Sequence, residues 1–233
     1  MKNFFQYFSV GMLFLFVSCP SSTDVSYYPL QEGITYIYKL SMKKSEVGSS
    51  FKIVVKNLPA RQLNGKKVVT QQVNMDGNST LTFIVHDKTG IYEYARQGSG
   101  ETDPKVHSVP EYYLKEPLKP GANWRIESKT SLLKVQDNIS LEYTILSFSE
   151  VITVPAGTFN NCIRIKASGN KTKYAFTLNR QVQIKAERHI WYAPGVGIVK
   201  LIYKQDGEVL QFGSGSVEMQ LVSYEKQIRP TRL

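Results

Sequence analysis

Apolar and polar residues alternate along most of the chain after residue 33, and this alternation limits the possible folds more than any other feature. In 34–44, ITYIYKLSMKK, every second residue is large and apolar. Successive side chains of a β-strand point to opposite faces, so the pattern is typical of a strand with one buried face. No stretch combines a helical apolar spacing with capping residues. We therefore predict an all-β protein.

Turn residues divide the pattern into about twelve short strands. The predicted runs are 34–44, 51–58, 67–75, 80–87, 90–96, 123–129, 139–149, 150–154, 161–168, 173–192, 197–204, 208–213 and 217–225. Asp206-Gly207 is the clearest two-residue hairpin turn, SGNK (168–171) is a further turn signal, and 97–119, which contains Gly and Pro, is predicted to be a loop. Short connections without helices predict an antiparallel meander.

The N-terminus has the proportions of a secretory signal peptide. Lys2 precedes an apolar stretch from Phe4 to Val17 that is short for a membrane span, and Ser18 stands directly before Cys19. FVSC resembles a bacterial lipobox, although Phe16 replaces the usual aliphatic residue. We predict a signal peptide over 1–18, an acylated Cys19 with a tether over 19–27, and one β domain over 28–233. An ordinary signal peptide with a chance cysteine and a retained signal anchor remain as alternatives.

The predicted mature chain is basic. The sequence has 29 Lys and Arg against 19 Asp and Glu, and loss of Lys2 leaves 28 − 19 = +9. The basic residues are scattered on strand patterns without a nucleic-acid-binding motif, so we expect a solvated face that attracts an anionic membrane surface and no nucleic-acid partner. With Cys19 acylated, Cys162 has no disulfide partner, and we expect it to be a buried strand residue.

A short motif occurs twice. PLQEGITY (29–36) and PLKPGANW (117–124) share P-L-x-x-G-x-x-aromatic, which predicts that Tyr36 and Trp124 take the first inward positions of their strands. Two explanations of the repeated motif remain. The chain is duplicated into halves of about 28–104 and 112–233, or the motif is a recurring way of entering a strand.

Three phrases together resemble a family. YYPLQEGITYIYK, VPAGTFNNCIRIK and WYAPGVGIVKLIY are similar, in order and spacing, to motifs of uncharacterised exported bacterial proteins and lipoproteins. The resemblance implies a half-barrel related in shape to lipoprotein-carrier and lipid-transfer folds. It implies no catalytic residue.

The sequence carries no recognisable catalytic or metal motif. The three histidines, His86, His107 and His189, lack zinc-ligand spacing, so we expect neither a metal nor a cofactor. A hydrolase would need convergent groups, for which Glu93, Glu142 and His189 are the candidates. His189 and Trp191 should share one strand face, whereas Trp191 and Tyr192 should point to opposite faces.

These observations favour a non-enzymatic lipoprotein that is anchored to the bacterial membrane, the outer membrane where the envelope has one. Its concave sheet is expected to bind a lipid or another amphipathic ligand. The candidate ligand-binding residues are Trp191, His189, Tyr36 and Trp124. A structural or protein-interaction module of an envelope complex is the alternative, and an envelope hydrolase is the third hypothesis.

Overall fold

The computed structural model describes residues 25–44, 47–134 and 136–226. Within these ranges the chain forms twelve β-strands and one short 3-10 helix, Phe176–Leu178. The strands are β1 Ile34–Lys44, β2 Val47–Leu63, β3 Lys66–Met75, β4 Asn78–Asp87, β5 Gly90–Gln97, β6 Lys105–Lys115, β7 Asn123–Lys129, β8 Asn138–Val154, β9 Gly157–Ala175, β10 Arg180–Ala193, β11 Gly197–Asp206 and β12 Ser214–Lys226. None of the described helical residues forms a segment long and apolar enough to cross a membrane.

All twelve strands of the described chain belong to one antiparallel sheet. Their order is β6-β5-β4-β3-β2-β1-β12-β11-β10-β9-β8-β7, so the chain starts in the middle, reaches one edge at β6 and returns from the other edge at β7. The sheet curls into the shape of a barrel that does not quite close, which we call the half-barrel. The predicted all-β antiparallel half-barrel of about twelve strands is confirmed. The predicted signal peptide and Cys19 lie outside the described residues.

The interior is packed unevenly. Large apolar side chains from β7 to β10 fill their half of the barrel and form the main hydrophobic core, which includes Leu141, Ile165, Ile184 and Tyr192. On the half formed by β1 to β4, the inward side chains instead surround an open space. This difference places the candidate site.

Three local predictions are wrong. About half of the predicted loop 97–119 is strand β6, an edge strand in which Pro110 is tolerated because an outward N–H is not needed there. The turn after Asp206 spans residues 207–213 rather than two residues, and no strand forms over 208–213, because the loop folds Phe212 into the core. Strand β9 also runs through SGNK to Ala175, and the chain turns at 176–179, where the φ of Asn179 is 48°, so the turn lies inside the run 173–192 that was predicted as one strand.

The tip of the long β8–β9 hairpin folds back onto the sheet. The backbone N–H of Ala156 donates to the carbonyl of Leu221 in β12 at 3.1 Å, and Val154 and Cys162 belong to the apolar cluster that the tip helps to form. Cys162 is fully buried, which confirms the prediction from the sequence. The N-terminal segment is fixed nearby, since the Gly195 N–H donates to the Ser26 carbonyl at 2.9 Å.

Candidate functional site

A cavity of about 410 Å³ lies inside the half-barrel between β1–β5 and the facing parts of β6, β11 and β12. One wall is apolar and comes mainly from β1, β2 and β3, with a contribution from β11 and β12. Its residues are Tyr36, Tyr38, Ile53, Val55, Val73, Met75, Ile198 and Met219. The rest of the lining is polar and comes from β3, β4 and β5, next to the apolar residues of β3; it contains Gln71, Asn78, Thr80, Thr82 and Arg96. The cavity therefore offers an apolar side and a hydrogen-bonding side to one ligand.

A buried hydrogen-bond chain ties the N-terminal segment to the cavity wall. The Tyr28 hydroxyl donates to Gln71 Oε1 at 2.9 Å, and Gln71 Nε2 donates to Asn57 Oδ1 at 2.8 Å. Asn57 Nδ2 in turn donates to the carbonyls of Pro29 at 3.1 Å and Gln31 at 3.0 Å. Because Asn57 is fully buried, these bonds fix the position of the segment that carries Tyr28 into the barrel.

Buried tyrosines meet beside the cavity. The rings of Tyr28 and Tyr113 stack with centroids 5.1 Å apart, and Tyr192 donates to the Tyr113 carbonyl at 3.3 Å. Burial raises the pKa of Tyr28, Tyr113 and Tyr192 above the ordinary value, so their hydroxyls stay protonated at neutral pH. They can donate hydrogen bonds but do not supply a general base.

Glu93 is the centre of a second buried polar cluster. Its carboxylate is 1% exposed and accepts two bonds from Arg96, at 2.7 Å each, and single bonds from His107 and Tyr113, at 2.8 Å each. Burial by itself raises the pKa of Glu93, but the bonds and charge of Arg96 and the bonds from His107 and Tyr113 outweigh it and lower the pKa.

The same cluster contains a metal-like grouping. Glu93, His107 and Glu111 present ligand atoms that lie within 4.8 Å of one another. Both oxygens of Glu93, however, already accept hydrogen bonds from Arg96. The guanidinium thus supplies the positive charge that a metal ion would bring. Its bonds to Glu93 also hold Arg96 in place at the edge of the cavity.

His189 and Trp191 lie together on the sheet face that points away from the 410 Å³ cavity. Their rings stack at 5.8 Å, as expected for residues two apart on a strand. His189 Nε2 is 2.8 Å from Glu187 Oε1, and Arg164 and Lys200 lie over the Trp191 ring at 5.5 and 6.0 Å. Tyr192 pairs with Ile198, which lines the cavity, whereas Trp191 pairs with Lys200, whose partner Gln220 alternates with the cavity residue Met219; the two neighbours therefore point to opposite sides as predicted.

The four predicted ligand-binding residues are not brought together. Tyr36 lines the cavity, whereas Trp124 stacks on Tyr143 at 5.5 Å within the main core and does not line it. His189 and Trp191 form their own pair away from both.

The hydrolase candidates are also dispersed. Glu93 is fully engaged as described above. Glu142 is exposed and, together with Glu187, lines a separate open groove of about 730 Å³ that also contains the basic residues Arg125, Lys185 and Lys204. Glu187 there is bound by His189 and by Lys166, whose Nζ lies 3.2 Å from it, and these bonds lower its pKa.

Of the residues that line the cavity, sequence reasoning named only Tyr36, and Gln71, Arg96 and Tyr113 are among those that it missed. Gln71 could have been found, because it occupies the same strand face as Val73 and Met75 and is a polar residue in an apolar series. Tyr113 carries no comparable signal, since its contact with Glu93 depends on how β5 and β6 pair. Arg96 carries none either, because it bonds Glu93 three residues away on the same strand, where the pairing with β6 is irregular.

No family model matches the sequence, and no curated protein matches it significantly. Two solved structures align with most of the chain. One, from Bacteroides fragilis, is named a "putative exported protein with YmcC-like fold"; it shares 18% identity with a TM-score of 0.40, over 85% of this chain and 98% of that chain. The other, a "putative lipoprotein" from Parabacteroides distasonis, shares 15% identity with a TM-score of 0.42 over the same fractions. At these values the likeness assigns no function, which must come from the site itself.

Proposed function

We propose that this protein is a non-enzymatic lipoprotein of a bacterial envelope that binds a single lipid-like, amphipathic molecule inside its half-barrel. The observation that carries the proposal is the 410 Å³ cavity, whose lining has an apolar part and a polar part. Its volume falls within the range of roughly 300–1,000 Å³ that is usual for small-molecule sites.

The mixed lining of the cavity explains the preference for an amphipathic ligand. Burying an acyl chain against Ile53, Val55 and Val73 gains about 25 cal/mol per Å² of apolar surface removed from water. A polar headgroup finds donors and acceptors in Gln71 and Arg96, in the polar part of the lining. A wholly polar ligand would leave the apolar wall unused, and a wholly apolar one would leave polar groups without partners.

The N-terminal anchor is the second part of the proposal. Cys19 stands six residues before Val25, the first residue that the structure describes, and six extended residues span at most about 20 Å. An acylated Cys19 would therefore keep the half-barrel close to a bilayer, the source of such ligands. We propose the outer membrane as that bilayer where the envelope has one. Labelled palmitate should enter the wild-type protein and not Cys19→Ala.

The test of the cavity uses a filling substitution with a matched control. Val55 lines the cavity, and its neighbour Val54 points to the opposite face of β2. Full-length wild type, Val55→Phe and Val54→Phe would be purified in the same detergent, and the extracted lipids measured by mass spectrometry per mole of protein. Wild type and Val54→Phe should retain one amphiphile at equal amounts, and Val55→Phe several-fold less. Equal retention in all three proteins, or none in wild type, would reject the cavity as the binding site.

A further inference from the structure

Three neighbouring strands carry basic residues and no acidic ones. Strands β1, β2 and β3 contain no Asp or Glu in their described residues. Their basic residues are Lys39, Lys43, Lys44, Lys52, Lys56, Arg61, Lys66 and Lys67.

In the other half of the sheet, several basic residues form ion pairs with carboxylates. There Lys166 pairs with Glu187, Lys171 and Lys173 with Asp137, Arg180 with Glu208 and Lys200 with Glu218. Among the residues that the structure describes, none of the eight basic side chains of β1–β3 has a carboxylate within salt-bridge distance. Arg61 and Lys66 lie over the rings of Phe83 and Tyr94, at 4.7 and 5.6 Å, and the charge of Lys66 helps to lower the pKa of Asp87. The charges of the other six lysines are not offset by an ion pair with a described residue.

Four of these lysines form one surface. Lys39 and Lys52 are direct partners across β1 and β2, so they stand on the same face. Lys43 and Lys56 follow at even spacings on the same two strands and share that face. We call this surface, defined by Lys39, Lys43, Lys52 and Lys56, the basic face. It lies opposite the cavity, because the intervening Tyr38 and Ile53 point inward.

The direct pairing of Lys39 with Lys52 across β1 and β2 is unfavourable unless a negative charge lies nearby. Like charges directly opposite each other on two strands destabilise the pair. An anionic surface would relieve this repulsion at Lys39 and Lys52, both of which are exposed.

An apolar groove runs between the two lysines. It has a volume of about 470 Å³ and is lined by Ile37 and Val222 together with Lys39 and Lys52. Val222 is 38% exposed. Ammonium groups around exposed apolar side chains fit the surface of a bilayer, where phosphates lie above the acyl boundary. A soluble polyanion would neutralise the lysines but has no apolar part that could occupy the groove.

We propose that the basic face is a docking surface for an anionic lipid bilayer. The proposal is independent of the cavity, and it fixes which side of the half-barrel faces the membrane, whereas a lipid anchor fixes only the distance. Because the contact is electrostatic, it should weaken at about 1 M salt, where the Debye length falls to about 3 Å.

Lysine acetylation tests the proposal on the full-length, acylated protein. The protein would be inserted into nanodiscs of phosphatidylcholine alone or with phosphatidylglycerol, and the rate of modification at each lysine measured by mass spectrometry. Lys39 and Lys52 should react several-fold more slowly in the anionic discs, and this protection should vanish at high salt. Exposed lysines off the face, Lys88 and Lys119, should react equally in both. Co-elution with the discs reports the anchor separately.

Matched variants separate the basic face from total charge. In Lys39→Gln/Lys52→Gln, protection of Lys43 and Lys56 should be lost, whereas Lys88→Gln/Lys119→Gln, with the same change in net charge, should keep it. Equal reactivity of Lys39 in the two kinds of disc would overturn the proposal. So would protection by soluble dextran sulfate without protection by the anionic bilayer, since the face would then bind a polyanion.

Discussion

Replacing Asn57 by Ala should destabilise the protein more than any exposed Asn substitution. The change removes three hydrogen bonds of a fully buried side chain: those to the Pro29 and Gln31 carbonyls and the one from Gln71. Each neutral bond contributes about 1 kcal/mol net, so the free energy of unfolding should fall by about 3 kcal/mol. With a urea m value near 3 kcal/mol/M, the unfolding midpoint should drop by about 1 M.

Urea unfolding followed by circular dichroism measures this change. Asn170→Ala, at an exposed strand position, is the control and should alter the free energy of unfolding by less than about 0.5 kcal/mol. Gln71→Ala should be less than additive with Asn57→Ala, because the two side chains share one bond. A loss below about 1 kcal/mol in Asn57→Ala, or full additivity in the double variant, would refute the role of this hydrogen-bond chain.

Three further predictions concern other parts of the described chain. Burial raises the pKa of the Cys162 thiol to about 11, so iodoacetamide at neutral pH should modify it in urea and not in the native protein; equal rates would contradict its burial. The folded-state pKa of Glu93 lies below its ordinary value of 4.5, so its stabilisation is complete above that value and lost as the pH falls through the folded-state pKa. The difference in unfolding free energy between wild type and Glu93→Gln should therefore shrink in acid, and a constant difference would refute the pairing. In Gly169→Ala a Cβ would overlap the Ser140 carbonyl oxygen, which should cost about 2–3 kcal/mol by thermal unfolding, against little for Gly48→Ala, where that space is open.

The sequence predicted most strands because burial of one face imposes a period of two. Strand β1 has the predicted bounds, Ile34–Lys44, and β7 has the predicted bounds, Asn123–Lys129. The failures occur where local turn chemistry and tertiary context disagree. Gly169 suggested a turn, yet it lies within β9 because the β8 backbone passes too close for a side chain.

The candidate site was less predictable than the fold. Tyr36 was identified from its place after the P-L-x-x-G motif and does line the cavity. The alternating pattern marks inward residues but does not reveal whether they meet in a packed core, as Trp124 does, or surround a space, as Val73 does. That distinction depends on the curvature of the sheet and on which strands face each other across the barrel.

The central claim is that the cavity inside the half-barrel holds an amphiphile, and a crystal structure of the protein soaked with a brominated fatty acid tests it most directly. The account predicts an anomalous bromine peak inside the half-barrel, beside Ile53, Val55 and Val73, with the headgroup toward the wall of Gln71 and Arg96. A well-occupied bromine site only on the outer surface, with the cavity filled by the protein's own side chains, would contradict it.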